Sequence, residues 1–340
     1  MTRGRPSRAT VYARLESAIN ELNHRFGGLP SPTEAKFVWD DIWHLEAHHS
    51  TALEGNTLVL REVEALLDRG RAVGSKPLKE YLEVQGYAAA AHWVYSQAVE
   101  ADNDPDAVLI TVTEIRRIHE LALGPVWQVA PHPDATEREV PGQFREHEIA
   151  PFGSGMVPPT WPLVPAQLTG WVDKVNASRE ALVDRQSDAI PVPELLAELH
   201  SGFEQIHPFL DGNGRTGRLA LNLVLVRSGF PPVVVLKQQR PGYLTALQRS
   251  DDGDHGALGE ILARGMLDNL NRFIVPAVAG PARLVPLAAL ADAEFSVAAL
   301  RQAAQRGRLE AVQSADGVWR STRAAVAHYA VVKGQRGGPG

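Results

Sequence analysis

Apolar residues recurring at helical spacing, block after block, set the strongest limit on how this chain can fold. Over Tyr12 to Phe26 they fall at Leu15, Ile19 and Leu22. In the next block Ala35, Val38, Trp39, Ile42 and Trp43 follow the i, i+3, i+4, i+7, i+8 pattern of one helix face. Ser31 is placed to cap that block and Pro32 to occupy its first turn. Thr57 precedes a short helix over 62–67 that Gly70 ends, and Leu78 to Tyr95 and Thr113 to Leu123 continue the pattern. After an interruption, helices are expected over Gln167 to Val175, Pro193 to Ile206, Gly214 to Ser228 and Gly256 to Val275. The bulk of the chain is therefore expected to be all-α.

Of the 340 residues 44% are apolar and 22% charged, enough material for a buried core. There is no cysteine, which excludes disulfides, thiolate nucleophiles, iron–sulfur clusters and cysteine-type zinc sites. The N-terminus is basic without a signal-like apolar run. The apolar runs at Leu219 to Val226 and Phe230 to Leu236 are too short to cross a bilayer. The expectation is a soluble, cytoplasmic protein with no membrane partner. The net charge of −6 argues against the whole chain gripping polyanions, but the charge is unevenly placed. From Ala282 onward eight Lys/Arg face four acids, a +4 tail against −10 for the rest.

The helical pattern breaks between Gly124 and Pro165, where nine prolines and four glycines leave no sustained period. A long segment of this kind inside a compact domain is usually functional. The expected organisation is an N-terminal helical region at 1–110, a core at 111–276, a linker at 277–290, a small α+β module at 291–332 and a flexible tail at 333–340.

Chemistry concentrates in IHPFLDGNGRTGRLALNLVL, residues 206–225. An apolar helix runs into His207, a turn of Asp211, Gly212, Asn213 and Gly214 follows, and a second apolar helix starts with Arg215 and Arg218. The glycines permit positive φ and close approach of a ligand. The N–H groups opening the second helix are orphan donors at a positive dipole end. Arg215 and Arg218, three apart on one side, add permanent forked charge. Together they make an anion cradle suited to a polyphosphate. A carboxylate, Asp211, inside such a cradle calls for a cation, and Mg²⁺ takes one or two carboxylates beside phosphates. His207 at the rim is the natural general base for transfer at phosphorus.

HPFLDGNGRTGR at 207–218 resembles the signature of the Fic family (filamentation induced by cAMP), His-x-Phe-x-Asp/Glu-Gly-Asn-Gly-Arg-x-x-Arg, at every fixed position. The resemblance implies a helical core and transfer of AMP from ATP to a Ser, Thr or Tyr hydroxyl of a protein target, or of the chain itself. It implies that His207 deprotonates the hydroxyl, that Phe209 anchors the loop, and that Asp211 holds Mg²⁺. Gly212, Asn213 and Gly214 would then form the anion hole, with Arg215 at the β-phosphate and Arg218 at the γ-phosphate. PGQFRE at 141–146 and MVPP at 156–159 are similar to the family's flap, a β-hairpin that aligns the target segment. GYLTALQRSDDGD at 242–254 resembles the adenine-side helix, with Tyr243 as ring contact; Asp251 stands where relatives often carry Asn.

HHSTALEGNTL at 48–58 is similar to the family's inhibitory motif, with Ser50, Glu54 and Gly55 in register and ahead of the catalytic loop. It implies a carboxylate docked on Arg218 where a γ-phosphate would bind. In relatives of that class the same glutamate can serve hydrolysis of the AMP–protein bond. His44 and His48 are spaced i, i+4, but no Glu adjoins the first, so the zincin pattern is absent. His200, His92, His119, His132 and His147 carry no motif, and His200 is expected to be a packed core histidine.

The C-terminal segment reads as helix, hairpin, helix. Ser296 caps the first helix, Asp316-Gly317 turns a hairpin, and Ser321 opens the last helix. With Arg301, Arg306, Arg308, Arg320 and Arg323 it resembles a winged helix-turn-helix, which implies a DNA partner; a protein-binding or homodimer-forming module on the same scaffold is the alternative. Two other functions use the same residues: a DNA-binding regulator that senses nucleotide through the Fic fold, and transfer of a different phosphate-containing group.

Overall fold

The computed structural model of the chain describes residues 6–30, 36–100, 108–153, 155–184, 190–279, 284–313 and 317–336. The expected cap at Ser31 and Pro32, Asp316 of the hairpin and residues 337–340 of the tail lie outside these spans. The described residues are mostly helical, with thirteen α-helices and one small antiparallel sheet. None of these helices is long and apolar enough to cross a membrane.

Helix α1 (Arg8–Phe26) begins where the Ser7 side chain accepts a hydrogen bond from the Thr10 N–H, and it buries Val11, Leu15, Ile19 and Leu22. Helices α2 (Lys36–Leu53), α3 (Leu60–Arg69), α4 (Leu78–Glu100) and α5 (Val112–Trp127) follow. The last is fixed by a capping box in which Thr111 and Glu114 exchange side-chain and backbone bonds. After α6 (Val164–Ala177) come α7 (Val192–Ile206), α8 (Asn213–Arg227), α9 (Arg240–Asp251) and α10 (Gly256–Asn269). A π-helical turn, Leu270–Ile274, leads into the short α11 (Val275–Val278).

Helix α8 explains the layout. Apart from Gly214, every residue from Asn213 to Val226 is buried, so the helix has no solvent face and must sit in the middle of the bundle. Helices α2, α4, α5 and α7 pack around it. The connection from α7 to α8, residues 207–212, therefore opens at the end of the central helix, walled by its neighbours.

Four expectations are corrected in detail. Helix α5 does not stop at Leu123; it runs through Gly124 and Pro125 to Trp127, where Val126 is still buried in the core. The 141–160 segment forms no β-ladder among the described residues. Its tip is a turn in which the Phe152 N–H donates to the Met156 carbonyl at 2.9 Å. Pro151, Pro158 and Pro159 have no N–H to give to a hairpin ladder.

The third correction is the segment read as a linker, 277–290, whose described residues from 284 onward are built into structure. Val285–Pro286 forms β1, and Val285, Leu287 and Leu290 are buried. It joins β2 (Ala311–Gln313) and β3 (Trp319–Ser321) in a sheet of order β1-β3-β2, with Val285 opposite Ser321 and Val312 opposite Arg320. Helices α12 (Val297–Gln305) and α13 (Arg323–Arg336) flank it. Finally, α13 reaches Arg336, past the expected start of the tail at 333.

Candidate active site

Helix α7 ends on His207, whose backbone is left-handed at φ 49° and ψ 60°. Among the described residues it is the one non-glycine with positive φ. Such backbone is sparsely populated and persists only where the surroundings over-determine it. The imidazole Nδ1 lies 3.3 Å from the Glu204 carbonyl, which can only accept, so Nδ1 carries the proton and Nε2 keeps its lone pair. The Phe152 ring meets the imidazole edge-on at 5.0 Å. Burial, reinforced by the Arg145 charge, lowers the imidazole to about 4, against opposing pulls from the Glu204 carbonyl, Glu54 and Asp211. The ring is neutral at pH 7.

The loop after it is clamped from within. The Asn213 side chain accepts from the Phe209 N–H and donates to the Phe209 carbonyl, both at 2.8 Å. Phe209 is fully buried and stacks on His119 with ring centres 3.7 Å apart. His119 in turn accepts from the Gly142 N–H through Nδ1 at 2.7 Å and donates through Nε2 to the Asp211 carbonyl at 2.9 Å. Only a neutral imidazole can do both, and burial lowers this one to about 4.

Beyond the loop, Gly212 has φ 78°, and a Cβ there would strike the Leu123 side chain. No side chain caps α8 at Gly212, so its first N–H groups face the site without a side-chain acceptor. A Cβ on Gly214 would fall 2.6 Å from Glu54 Oε1 and 3.0 Å from Arg218 Nη1, which places the Glu54 carboxylate over the start of the helix. Arg215 is buried, reaches Asp211 Oδ1 at 3.2 Å, and its Nε has no hydrogen-bond partner. An orphaned buried donor beside an uncapped helix N-terminus suits an anion. Asp211 is half-exposed, and its Oδ1 takes the bonds from Gly212 and Arg215. The described residues hold no cluster of three potential metal ligands, so a cation here would take one carboxylate and complete its shell with phosphate and water. The donor set fits Mg²⁺ on those terms.

Arg218 is held by the end of α2. Its Nε donates to Ser50 Oγ at 2.7 Å, and its Nη2 donates to the Ser50 carbonyl at 3.1 Å and to Glu54 Oε1 at 2.7 Å. Gly55, at φ 103°, turns the chain away immediately after. Burial would raise the Glu54 carboxyl, but the guanidinium of Arg218 outweighs it and holds it below the usual carboxylate range.

Tyr243, expected as the ring contact, is buried, with its hydroxyl 2.6 Å from His200 Nε2. Asp251 accepts from Gln205 at 2.9 Å. His44, His48 and His49 do not converge: His44 faces Asp68 at 3.4 Å and His49 accepts from the Lys237 N–H.

Three positioning residues carried no sequence signal, and a fourth, Arg145, lay inside PGQFRE with no role of its own. His119 is described above. Glu46 is buried and accepts from the Tyr87 and Tyr95 hydroxyls and Asn222 at 2.7–2.8 Å. Glu139 accepts from the Thr136 and Glu146 N–H groups and pairs with His147 at 2.7 Å, bonds that outweigh burial and hold it at about 2. Arg145, buried, donates to three main-chain carbonyls of the flap and the loop. A polar residue amid Pro and Gly looks exposed in a sequence; its partners lie in other segments.

Residues 109–225 match the Fic/DOC family. A protein adenylyltransferase fic-1 of Caenorhabditis elegans is 28% identical over 269 residues, 79% of this chain and 48% of the relative. A protein adenylyltransferase Fic of Nematostella vectensis is 32% identical over 228 residues, 67% of this chain and 47% of the relative. The chain thus spans about half the length of the curated relatives it matches. Among solved structures, Caenorhabditis elegans Fic-1 (residues 134–508) superposes with a TM-score of 0.62 at 27% identity, covering 78% of this chain and 71% of that one. With the signature loop set at the head of a buried central helix, as the helical bundle requires, the chain carries a Fic domain.

Proposed function

We propose that this chain is a protein adenylyltransferase that moves AMP from ATP to a Ser, Thr or Tyr hydroxyl of a target protein, and that Glu54 restrains it. The observation that carries the reading is one juxtaposition: a neutral imidazole with its Nε2 lone pair available, beside an uncapped helix N-terminus bearing Arg215 and Arg218. The triphosphate lies along the first N–H groups of α8, with Arg215 at the β-phosphate and Arg218 at the γ-phosphate. The target oxygen attacks the α-phosphorus while His207 Nε2 takes its proton. The bond to the bridging oxygen breaks and pyrophosphate leaves. Mg²⁺, held by Asp211, would supply positive charge to the phosphates when bound.

Glu54 occupies the Arg218 fork in the present arrangement. ATP entering beside it loses the γ-phosphate contact, and its α-phosphorus is displaced from in-line attack; about an ångström costs on the order of a hundredfold. In this reading the same carboxylate would also orient a water for hydrolysis of the AMP–protein bond. Incubating Glu54→Gly protein with labelled ATP and following intact mass tests the reading. AMP addition that rises over the parent and disappears in Glu54→Gly/His207→Ala supports it. Addition of phosphate or phosphocholine instead, or AMP addition that survives loss of His207, overturns it.

A second proposal concerns the C-terminal module, where Arg301, Arg306, Arg308 and Arg323 are exposed. They favour an anionic partner, DNA, for that end of the molecule.

A further inference from the structure

We infer that Arg145 is a positioning residue for His207: it locks the left-handed backbone of the base to both legs of the flap, so that the target segment and the imidazole are set by one side chain. The inference rests on the adenylyl-transfer reading and names what holds its base in place. Nε donates to the His207 carbonyl at 2.8 Å, Nη1 to the His147 carbonyl at 2.8 Å and Nη2 to the Pro159 carbonyl at 2.6 Å. The Arg145 N–H adds a bond to the Pro208 carbonyl at 3.0 Å. Two successive carbonyls of the motif loop and one carbonyl of each flap leg thus converge on one residue.

The geometry suits arginine and little else. Arg145 is 1% exposed, and the carboxylate that acts on its charge, Glu148, makes no hydrogen bond to its guanidinium. A buried guanidinium ordinarily takes a carboxylate. Here its planar fork is spent on main-chain carbonyls, in three directions that a lysine ammonium at the end of a flexible stem cannot match together. What those bonds hold is also unusual, since His207 keeps a positive φ without being glycine.

The charge acts on His207 as well. The groups that face the imidazole are Arg145 from the flap, Glu54 from the end of α2, Asp211 from the loop and the Glu204 carbonyl from α7; of these only Arg145 disfavours the protonated ring. Removing it should raise the His207 titration; exposing the ring would raise it too, so Arg145→Lys, which keeps the charge, separates loss of charge from loss of packing.

The test compares Arg145→Gln and Arg145→Lys in the Glu54→Gly protein, with three readouts: AMP transfer at saturating ATP, ATP affinity, and the His207 imidazole titration by NMR, assigned against His207→Ala. Arg145→Gln should lower the transfer rate ~100-fold, keep ATP affinity within about threefold, and raise the His207 titration by about one unit. Arg145→Lys should keep the titration near that of the parent, because the charge remains, and still lose roughly tenfold in rate. Wild-type rates in either folded variant, ATP affinity falling in step with rate, or an unmoved titration in Arg145→Gln overturns the inference. If Arg145→Gln does not fold, the rate and ATP affinity of Arg145→Lys decide alone. If no form transfers AMP, the proposed reaction fails, and the titration still judges Arg145.

Discussion

Burial decides how His207 can act. Its imidazole is lowered to about 4, so the unprotonated form prevails through neutral pH. The transfer rate of the Glu54→Gly protein should therefore stay level from neutrality down to about pH 5 and fall only as pH approaches 4. Loss of Glu54 removes a group that raises the imidazole, so the variant's acid limb lies at or below that value. A limb near the ordinary histidine value of 6.5 in the pH–rate profile would show that the ring works fully solvated. The contact with Arg218 follows the opposite sign. Glu54 is held below its unfolded value, so its stabilisation is present above the ordinary carboxylate range and lost as pH falls through the folded value. At this scale the loop itself was legible, because its spacing is local: His207 to Arg218 is one turn and the start of one helix. The sequence could not reveal what His119 and Arg145 bond. His119 meets Asp211 across 92 positions, and Arg145 meets the His207 carbonyl across 62. The burial of Tyr243 was hidden for a related reason, since nothing in a helix pattern says that its hydroxyl turns inward to His200.

Helix α2 leads to the proposed restraint, and its seat is polar. From Leu45 to Thr51 every residue is buried, although Glu46, His48, His49, Ser50 and Thr51 are polar. In sequence HLEAHHS looks like a solvated face, and the approach of α4 and α8 makes it interior. Glu46 fastens it, taking hydrogen bonds from Tyr87 and Tyr95 of α4 and Asn222 of α8. Asn222 also holds the extended chain at Val233 through its N–H and carbonyl. Replacing Glu46 by Leu leaves two buried hydroxyls short of an acceptor, a cost of about 1–3 kcal/mol. The denaturant midpoint should fall accordingly. Because Ser50 lies one turn further along the same helix and Glu54 directly follows its last residue, basal AMP transfer should also rise severalfold toward the Glu54→Gly level. A lowered midpoint with basal transfer unchanged would show that the inhibitory end is seated without Glu46. The helices themselves were readable from their apolar spacing, α7 and α8 closest to their final bounds. The flap and the linker were not, because proline and glycine counts report the absence of helix and say nothing of the bonds that fix a chain.

Charge divides the molecule as a whole into an acidic body and a basic C-terminal end, and the two are joined by more than chain. Arg320, on the central strand β3, pairs with Glu21 of α1 at 2.8 Å, both side chains nearly buried. One of the arginines counted toward a DNA surface is thereby spent inside the protein, a placement that charge arithmetic cannot detect. Arg301, Arg306 and Arg308 remain exposed at the end of α12 and beyond it, and Arg323 opens α13. If this end grips DNA through phosphates, the logarithm of its binding constant should fall linearly with that of salt, by about 0.9 per phosphate contact. Arg306→Ala/Arg308→Ala should then make the slope shallower by about 2. Arg320→Ala should leave the slope unchanged while loosening the module from the body, seen as faster proteolysis near β1. Titrating a labelled duplex at several salt concentrations measures all three proteins. A slope altered by Arg320→Ala and untouched by the double variant would place the contact surface against α1 instead, and binding absent even at low salt would remove DNA from the account while leaving the transfer chemistry of the core untouched.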